Sequence, residues 1–260
     1  MGDVPSIEES QYREKVAIWA VLSGLPLYSQ LADNRVWRWF AANIPTDLGT
    51  GGHHATDFDV MVGTLDMPRS STTKLYHAFE VKVAVIDANA RVRSLKAGKT
   101  QKILNQVAAY RRFGVPQYSL LDVFLCLPGF LGRHTFPTEE IAVATLRRAI
   151  GLHRLGAGYR ALPFQAAPGA DPRDPPNLTF HSIGAGGPME TAFRLLAPRP
   201  QAPTEPFMRL AEHIDDFAKK YADPFRRQII YCRKCHQLGA IQMKTEHVCP
   251  SCGDDLIRQF

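Results

Sequence analysis

The sequence predicts a mixed α/β core joined to a small four-cysteine module, and three observations carry that expectation. Apolar, β-branched runs alternate with helix-patterned segments over residues 7–162. Prolines and glycines then accumulate from Pro163 to Pro206. Four of the five cysteines are grouped as Cys232-Arg-Lys-Cys235 and Cys249-Pro-Ser-Cys252. At 260 residues, 45% hydrophobic and 22% charged, the chain is too apolar for disorder and long enough for one medium domain plus an appendage. Its longest apolar run, Val16 to Leu22, is far short of the roughly 20 residues that cross a bilayer, so no membrane span is expected. The opening MGDVPSIEES lacks a basic segment followed by an apolar one, which makes the cytoplasm the expected location.

A helix is expected over residues 7–23, because Glu8, Glu9, Glu14 and Lys15 precede an apolar stretch that meets the breakers Ser23, Gly24 and Pro26. The segment holding Trp37 and Trp39 shows no clear period. Glycines 49, 51 and 52 mark a turn, after which Thr56-Asp57-Phe58-Asp59-Val60-Met61-Val62 reads as a buried strand. A second strand follows from Leu75 to Val85, and after a basic loop a helix runs from Thr100 to Arg112, stopped by Gly114 and Pro116. Tyr118 to Leu127 is a third strand. Thr138 is placed to cap a helix with Glu139 and Glu140 at its start and Arg147 and Arg148 towards its end, matching the macrodipole. Gly156 to Leu162 reads as the last strand of the core. Residues 1–165 therefore form the main domain and 166–205 a Pro/Gly-rich linker, with a short helix at Met189 to Leu196. Residues 206–260 form a helix capped by Thr204 and then the cysteine module.

The most informative constellation is Asp59 with Glu80-Val81-Lys82. Alternate residues of a strand share a face, so Glu80 and Lys82 project together while Phe79, Val81 and Val83 face the packing side. Two carboxylates on adjacent strands suit a hard cation such as Mg²⁺, and a lysine beside them can orient or deprotonate a water. That equipment fits in-line attack on a phosphodiester.

In these residues the chain resembles the PD-(D/E)xK nuclease superfamily. The family pattern is an acidic residue opening an apolar strand, then E-x-K in the next strand, then a helix. Asp59-Val60-Met61-Val62 and Glu80-Val81-Lys82 match it, 21 positions apart, and Gln106-Val107-Ala108-Ala109-Tyr110 is similar to the Q-x3-Y element of the RecB-like branch. The resemblance implies a restriction-endonuclease-like mixed β-sheet flanked by helices and a metal-dependent nuclease, with DNA the favoured substrate, in restriction, phage defence, repair or recombination. It also implies that Asp59, Glu80 and the Val81 carbonyl hold Mg²⁺ or Mn²⁺, that Lys82 positions the water, and that Gln106 and Tyr110 orient Lys82 or the scissile phosphate. Phe58 stands where the family name has proline. Asp57 is an alternative to Asp59, and for the carboxylate that many relatives carry on the first helix Glu14 is preferred to Glu9 as nearer the buried end.

Arg91, Arg93, Lys96, Lys99, Lys102, Arg111 and Arg112 form a run without an intervening acid. Such a run gains affinity for a phosphate backbone by counterion release, so Lys96, Lys99, Lys102 and Arg111 are expected to bind nucleic acid. A solvated loop and helix face is the other reading of the same run. His53 and His54 lie in the glycine turn and are read as solvated. The two C-x2-C knuckles, with 13 residues between them, predict one structural Zn²⁺ held by Cys232, Cys235, Cys249 and Cys252, with Cys126 as inert core. His236 and His247 adjoin the knuckles, but all four thiolate positions are filled. Such a zinc ribbon can serve a protein partner, or nucleic acid through Arg233, Lys234 and Lys244. A binding module with a degenerate nuclease fold is the rival from another class. A junction resolvase, which requires a homodimer, is the rival within the class.

Overall fold

The fold is a computed structural model that describes residues 36–48, 57–66, 73–86, 89, 92–93, 97–126, 137–166, 180–182, 196–220, 228–240, 249 and 251–254. The helix expected over residues 7–23, with Glu9 and Glu14, lies outside the described residues, as do His53, His54, Arg91, Lys96, Lys244 and His247. The strands are β1 (Val36–Pro45), β2 (Asp57–Asp66), β3 (Thr73–Ile86), β4 (Val92–Arg93), β5 (Gln117–Cys126), β6 (Gly158–Ala166), β7 (Phe180–Ser182), β8 (Gln228–Tyr231) and β9 (Leu238–Ala240). The helices are α1 (Ala97–Phe113), α2 (Glu139–Leu155) and α3 (Glu205–Lys219). The architecture is α/β with both parallel and antiparallel strand pairs. Two compact units result. One comprises the described parts of Glu80–Ala108 and Ser119–Arg199; the other comprises Ala109–Tyr118 and the described parts of Ile18–Phe79 and Pro200–Phe260.

In the unit that holds β1 and β2 the strand order is β3-β2-β1-β8-β9. The β1–β2 ladder is antiparallel, from Val36↔Leu65 to Pro45↔Asp57, and slips between Trp37 and Trp39. β2 pairs β3 from Asp66↔Thr73 to Val60↔Phe79. β8 pairs β1 in parallel at Phe40↔Gln228, Ala41↔Ile229 and Ala42↔Ile230, and pairs β9 antiparallel. Trp39, Phe40, Ala41, Ala42 and Ile44 are all buried, so β1 is covered on both faces and shows no apolar-polar alternation. Trp39 lies opposite Gly63, where a Cβ would sit 2.5 Å from the indole Cε2. α3 packs on β1. Thr204 Oγ1 accepts from the Phe207 N–H at 3.4 Å, capping this helix as the sequence predicts. Its buried face, Phe207, Leu210, Ala211, Ile214, Asp215 and Ala218, follows the helical period.

The other unit is built on β5, α2 and β6. β5 and β6 run parallel from Ser119↔Gly158 to Cys126↔Gln165, and α2 is the crossover between them. β7, inside the expected linker, pairs antiparallel with β6. Of the short helix expected at Met189 to Leu196 only Leu196 is described, and it bridges Tyr159. The end of β3 pairs β4 at Val85↔Arg93 and Ile86↔Val92.

Four local expectations are corrected. Gly156 is not the start of a strand but the left-handed C-cap of α2, with φ 72°, and β6 begins at Gly158. Thr138 holds the N-cap position with an extended backbone, but its side chain makes no capping hydrogen bond. Arg148 is not near the end of α2; the helix continues to Leu155, its last-turn cations are His153 and Arg154, and Arg148 points inward. α1 begins at Ala97, three residues earlier than expected, so Lys99 lies on the helix and not in a loop.

Candidate functional site

The four-cysteine cluster is built from two knuckles with the same backbone. In the first, His236 N–H donates to the Cys232 carbonyl (2.9 Å) and Cys232 N–H to the Gln237 carbonyl (3.0 Å). In the second, Gly253 N–H donates to the Cys249 carbonyl (2.8 Å) and Cys249 N–H to the Asp254 carbonyl (2.7 Å). Each turn needs a left-handed residue after its second cysteine. Gly253 meets this at φ 74°, while His236 adopts φ 59° with Nδ1 paired to the Tyr231 hydroxyl at 3.0 Å. The four Sγ atoms all lie within 4.8 Å of one another, with Cys232 to Cys252 at 3.7 Å and Cys235 to Cys249 at 3.5 Å. A tetrahedral ion with bonds of about 2.3 Å requires sulfurs about 3.8 Å apart, so this donor set can hold a metal ion such as zinc. The thiols of the cluster shift in opposite directions: burial and the neighbouring thiols push Cys235 up to about 12, whereas the backbone N–H groups of Ser251 and Cys252 and the neighbouring thiols outweigh burial and bring Cys249 down to about 7. The ligand form is the thiolate. Among the described residues this is the one convergent group of three or more His, Cys, Asp and Glu side chains. Burial alone pushes the Cys126 thiol up to about 12, in keeping with an inert core position.

The first knuckle also reaches the sheet. Arg233 forms an ion pair with Asp57 and donates to Asn43 Oδ1 at 2.9 Å, while Asn43 Nδ2 donates to the Tyr231 carbonyl at 3.3 Å. Asn43 is buried within β1 at φ 58°, a left-handed conformation that asparagine tolerates better than most residues. Asp57, the alternative metal ligand, is thus engaged by Arg233. Lys234 Nζ lies 3.5 Å from Asp254 Oδ1. A cavity of about 250 Å³ is lined here by Pro45, Asp57, Tyr231, Arg233 and His236.

The expected catalytic residues fall in both units. Asp59, half-buried on β2, donates its backbone N–H to the Tyr110 hydroxyl at 3.4 Å, and that hydroxyl donates to the Asp57 carbonyl at 3.3 Å. Tyr110 is buried against Phe58, ring centroids 4.8 Å apart, so it holds the strand that carries Asp59. In the other unit Glu80 Oε1 lies 2.7 Å from Lys82 Nζ, as the shared strand face predicts. The side chains are 2% and 16% exposed, so Glu80 is buried like Val81 while Lys82 is partly open. Gln106 is half-buried on α1. Lys102 and Arg111 are both exposed on α1, but nine positions set them on opposite sides of a helix of 3.6-residue period.

Two buried polar clusters escape sequence reading. In the β1–β2 unit Asp215 accepts from Trp39 Nε1 (2.6 Å) and the Tyr76 hydroxyl (2.8 Å) and pairs with Arg38 (2.5 Å) and Lys74 (3.4 Å). In the other, Asp122 receives Arg148 Nη1 at 2.5 Å and the Tyr159 hydroxyl at 2.7 Å. Only the arginine at an inward position of the α2 period could have signalled the second. Among the described residues no helix is long and apolar enough to cross a membrane. No protein-family model, curated protein or solved structure matches the chain.

Proposed function

We propose that this chain is a metal-dependent nuclease that hydrolyses phosphodiester bonds, DNA being the favoured substrate, and that its four cysteines hold one structural zinc ion. The observation that carries this reading is the Glu80–Lys82 pair, an ammonium 2.7 Å from a carboxylate whose flanking residues Phe79 and Val81 are fully buried. Withdrawing two charges from water costs several kcal/mol per ion, and apolar residues serve packing at least as well. Charges kept at such a position support a chemical role.

In this reading Asp59, Glu80 and the Val81 carbonyl are the oxygen ligands, with Glu14 assisting. A divalent cation there would polarise the scissile phosphate and neutralise the charge that develops on it. Lys82 orients the attacking water, Tyr110 holds the Asp59 strand, and Gln106 orients Lys82 or the phosphate. Lys96, Lys99, Lys102 and Arg111 attract the backbone; Lys99 and Lys102 stand in the first turns of α1, where the macrodipole already favours an anion.

The test is incubation of plasmid and single-stranded DNA with Mg²⁺, Mn²⁺ or EDTA, alongside Lys82→Ala. Cleavage should need the cation and fall roughly a hundredfold or more in the variant; cleavage that survives EDTA or Lys82→Ala rejects the mechanism. Metal analysis of fresh protein should find about one zinc per chain, lost on Cys249→Ser, and finding none refutes the structural ion.

A second reading, an inactive module that binds nucleic acid or protein, is favoured by the burial of Glu80, which a structural ion pair would also show. It predicts DNA binding with no cleavage in either cation.

A further inference from the structure

β1 carries a left-handed residue opposite Asp59, the expected metal ligand on β2. The register of that ladder runs through Ala42↔Val60 and Ile44↔Phe58, which sets Asn43 across from Asp59. Asn43 takes φ 58°, outside strand geometry, and the Asp59 N–H turns to the Tyr110 hydroxyl on α1. A left-handed residue buried in a strand is strained even as asparagine, and persists only where its surroundings fix it. The first cysteine knuckle does this. The β1–β8 ladder ends at Ala42↔Ile230, and one residue further on the Asn43 side chain replaces it. Its Nδ2 donates to the Tyr231 carbonyl at 3.3 Å and its Oδ1 accepts from Arg233 Nη2 at 2.9 Å. The same nitrogen pairs with Asp57, whose carbonyl accepts from Tyr110. Tyr231 and Arg233 are the two chain neighbours of Cys232, so one thiolate donor is joined to the opening of β2 through both.

We infer that Arg233 is a positioning residue: through Asn43 and Asp57, the metal-loaded first knuckle fixes the backbone from which Asp59 projects. What Asp59 does there rests on the nuclease reading; the coupling of knuckle to strand does not. Such coupling is reciprocal, so whatever steadies Asn43 and Asp57 also strengthens the hold of the four thiolates on their ion. The Arg233 and Asp57 side chains are 48% and 25% exposed, and an ion pair that open to water contributes little alone. The effect is therefore expected at the low end of coupling between sites.

Competition with a chromophoric chelator measures the zinc affinity of the full chain. Arg233→Met keeps an apolar stem without a donor, and Asn43→Gly accepts φ 58° without an amide. Each should weaken zinc binding about fivefold. Because the two share one path, the loss in the double variant should fall short of the product of the single losses. Hydrogen exchange gives the second readout. With zinc retained, each variant should exchange the amides of residues 57–62 severalfold faster and leave those of α3, in the same unit, unchanged. Should Arg233→Met misfold, Asn43→Gly carries both readouts. Where DNA is cut, Arg233→Met should need more Mn²⁺ for half-maximal cleavage, with little change at saturation. If the wild type cuts no DNA, only the nuclease reading fails, and zinc affinity and exchange still decide the coupling. Unchanged zinc affinity in the folded variants, losses that multiply, or exchange that rises equally in α3 would each overturn the proposal.

Discussion

Both units bury a carboxylate between a helix and its sheet, and they do so in opposite senses. In the α2 unit the strand provides the acid, Asp122, and the helix the cation, Arg148; both are at most 3% exposed. In the β1–β2 unit the helix provides the acid, Asp215, and the strands four donors, of which Lys74 is 52% exposed and Arg38 15%. In the first cluster the cation is buried with its acid. In the second Lys74 already reaches water and Arg38 partly does, so both charges can be re-solvated if the acid is removed. Redundancy and solvent access, more than the number of hydrogen bonds, should decide what each cluster is worth.

That difference can be broken by mutation. Asp122→Ala strands a buried guanidinium and should cost about 3–5 kcal/mol in denaturant unfolding. Asp215→Ala leaves Trp39 and Tyr76 without their acceptor but frees cations that can turn to solvent, for a smaller loss of about 1–3 kcal/mol. A loss for Asp215→Ala equal to or above that for Asp122→Ala would reverse the argument. Tyr76 sharpens it. Burial first, and then Asp215, pushes its phenol from 10.0 up to about 12. The unfolded chain ionises it first, so its contribution is whole below pH 10 and is lost as pH rises towards 12. Tyr76→Phe should cost about 1 kcal/mol near neutrality and flatten the fall in stability across that alkaline window. Tyr159, raised well above its ordinary value by burial and then by Asp122, should keep a slope in the variant.

What the sequence discloses and what it hides divide along local and distant causes. β2, β3, α1, β5, α2 and α3 each announce themselves within a dozen residues, through an apolar run, a helical period or a cap such as Thr204. β1 does not, because Trp39 to Ile44 is covered on both sides and loses its alternation. The β1–β8 pairing leaves no trace, since neither segment carries the other's address. The inward turn of Arg148 is hidden because Gly156 reads as the start of a strand and not as the cap of α2. At the site, the shared face of Glu80 and Lys82 and the convergence of four thiols follow from spacing alone. The bond from Arg233 to Asp57 does not, because it joins a knuckle to a strand 176 positions away.

The parallel union of β1 with β8 also bears on how the chain is made. Phe40 emerges from the ribosome 188 positions before Gln228, its partner. At about 5–20 residues per second, that edge of the nascent strand waits roughly ten to forty seconds for its neighbour. Throughout that interval its unpaired backbone groups are a template for wrong pairing between polysome neighbours. A chain cut before Gln228 lacks the strand that closes this edge of β1.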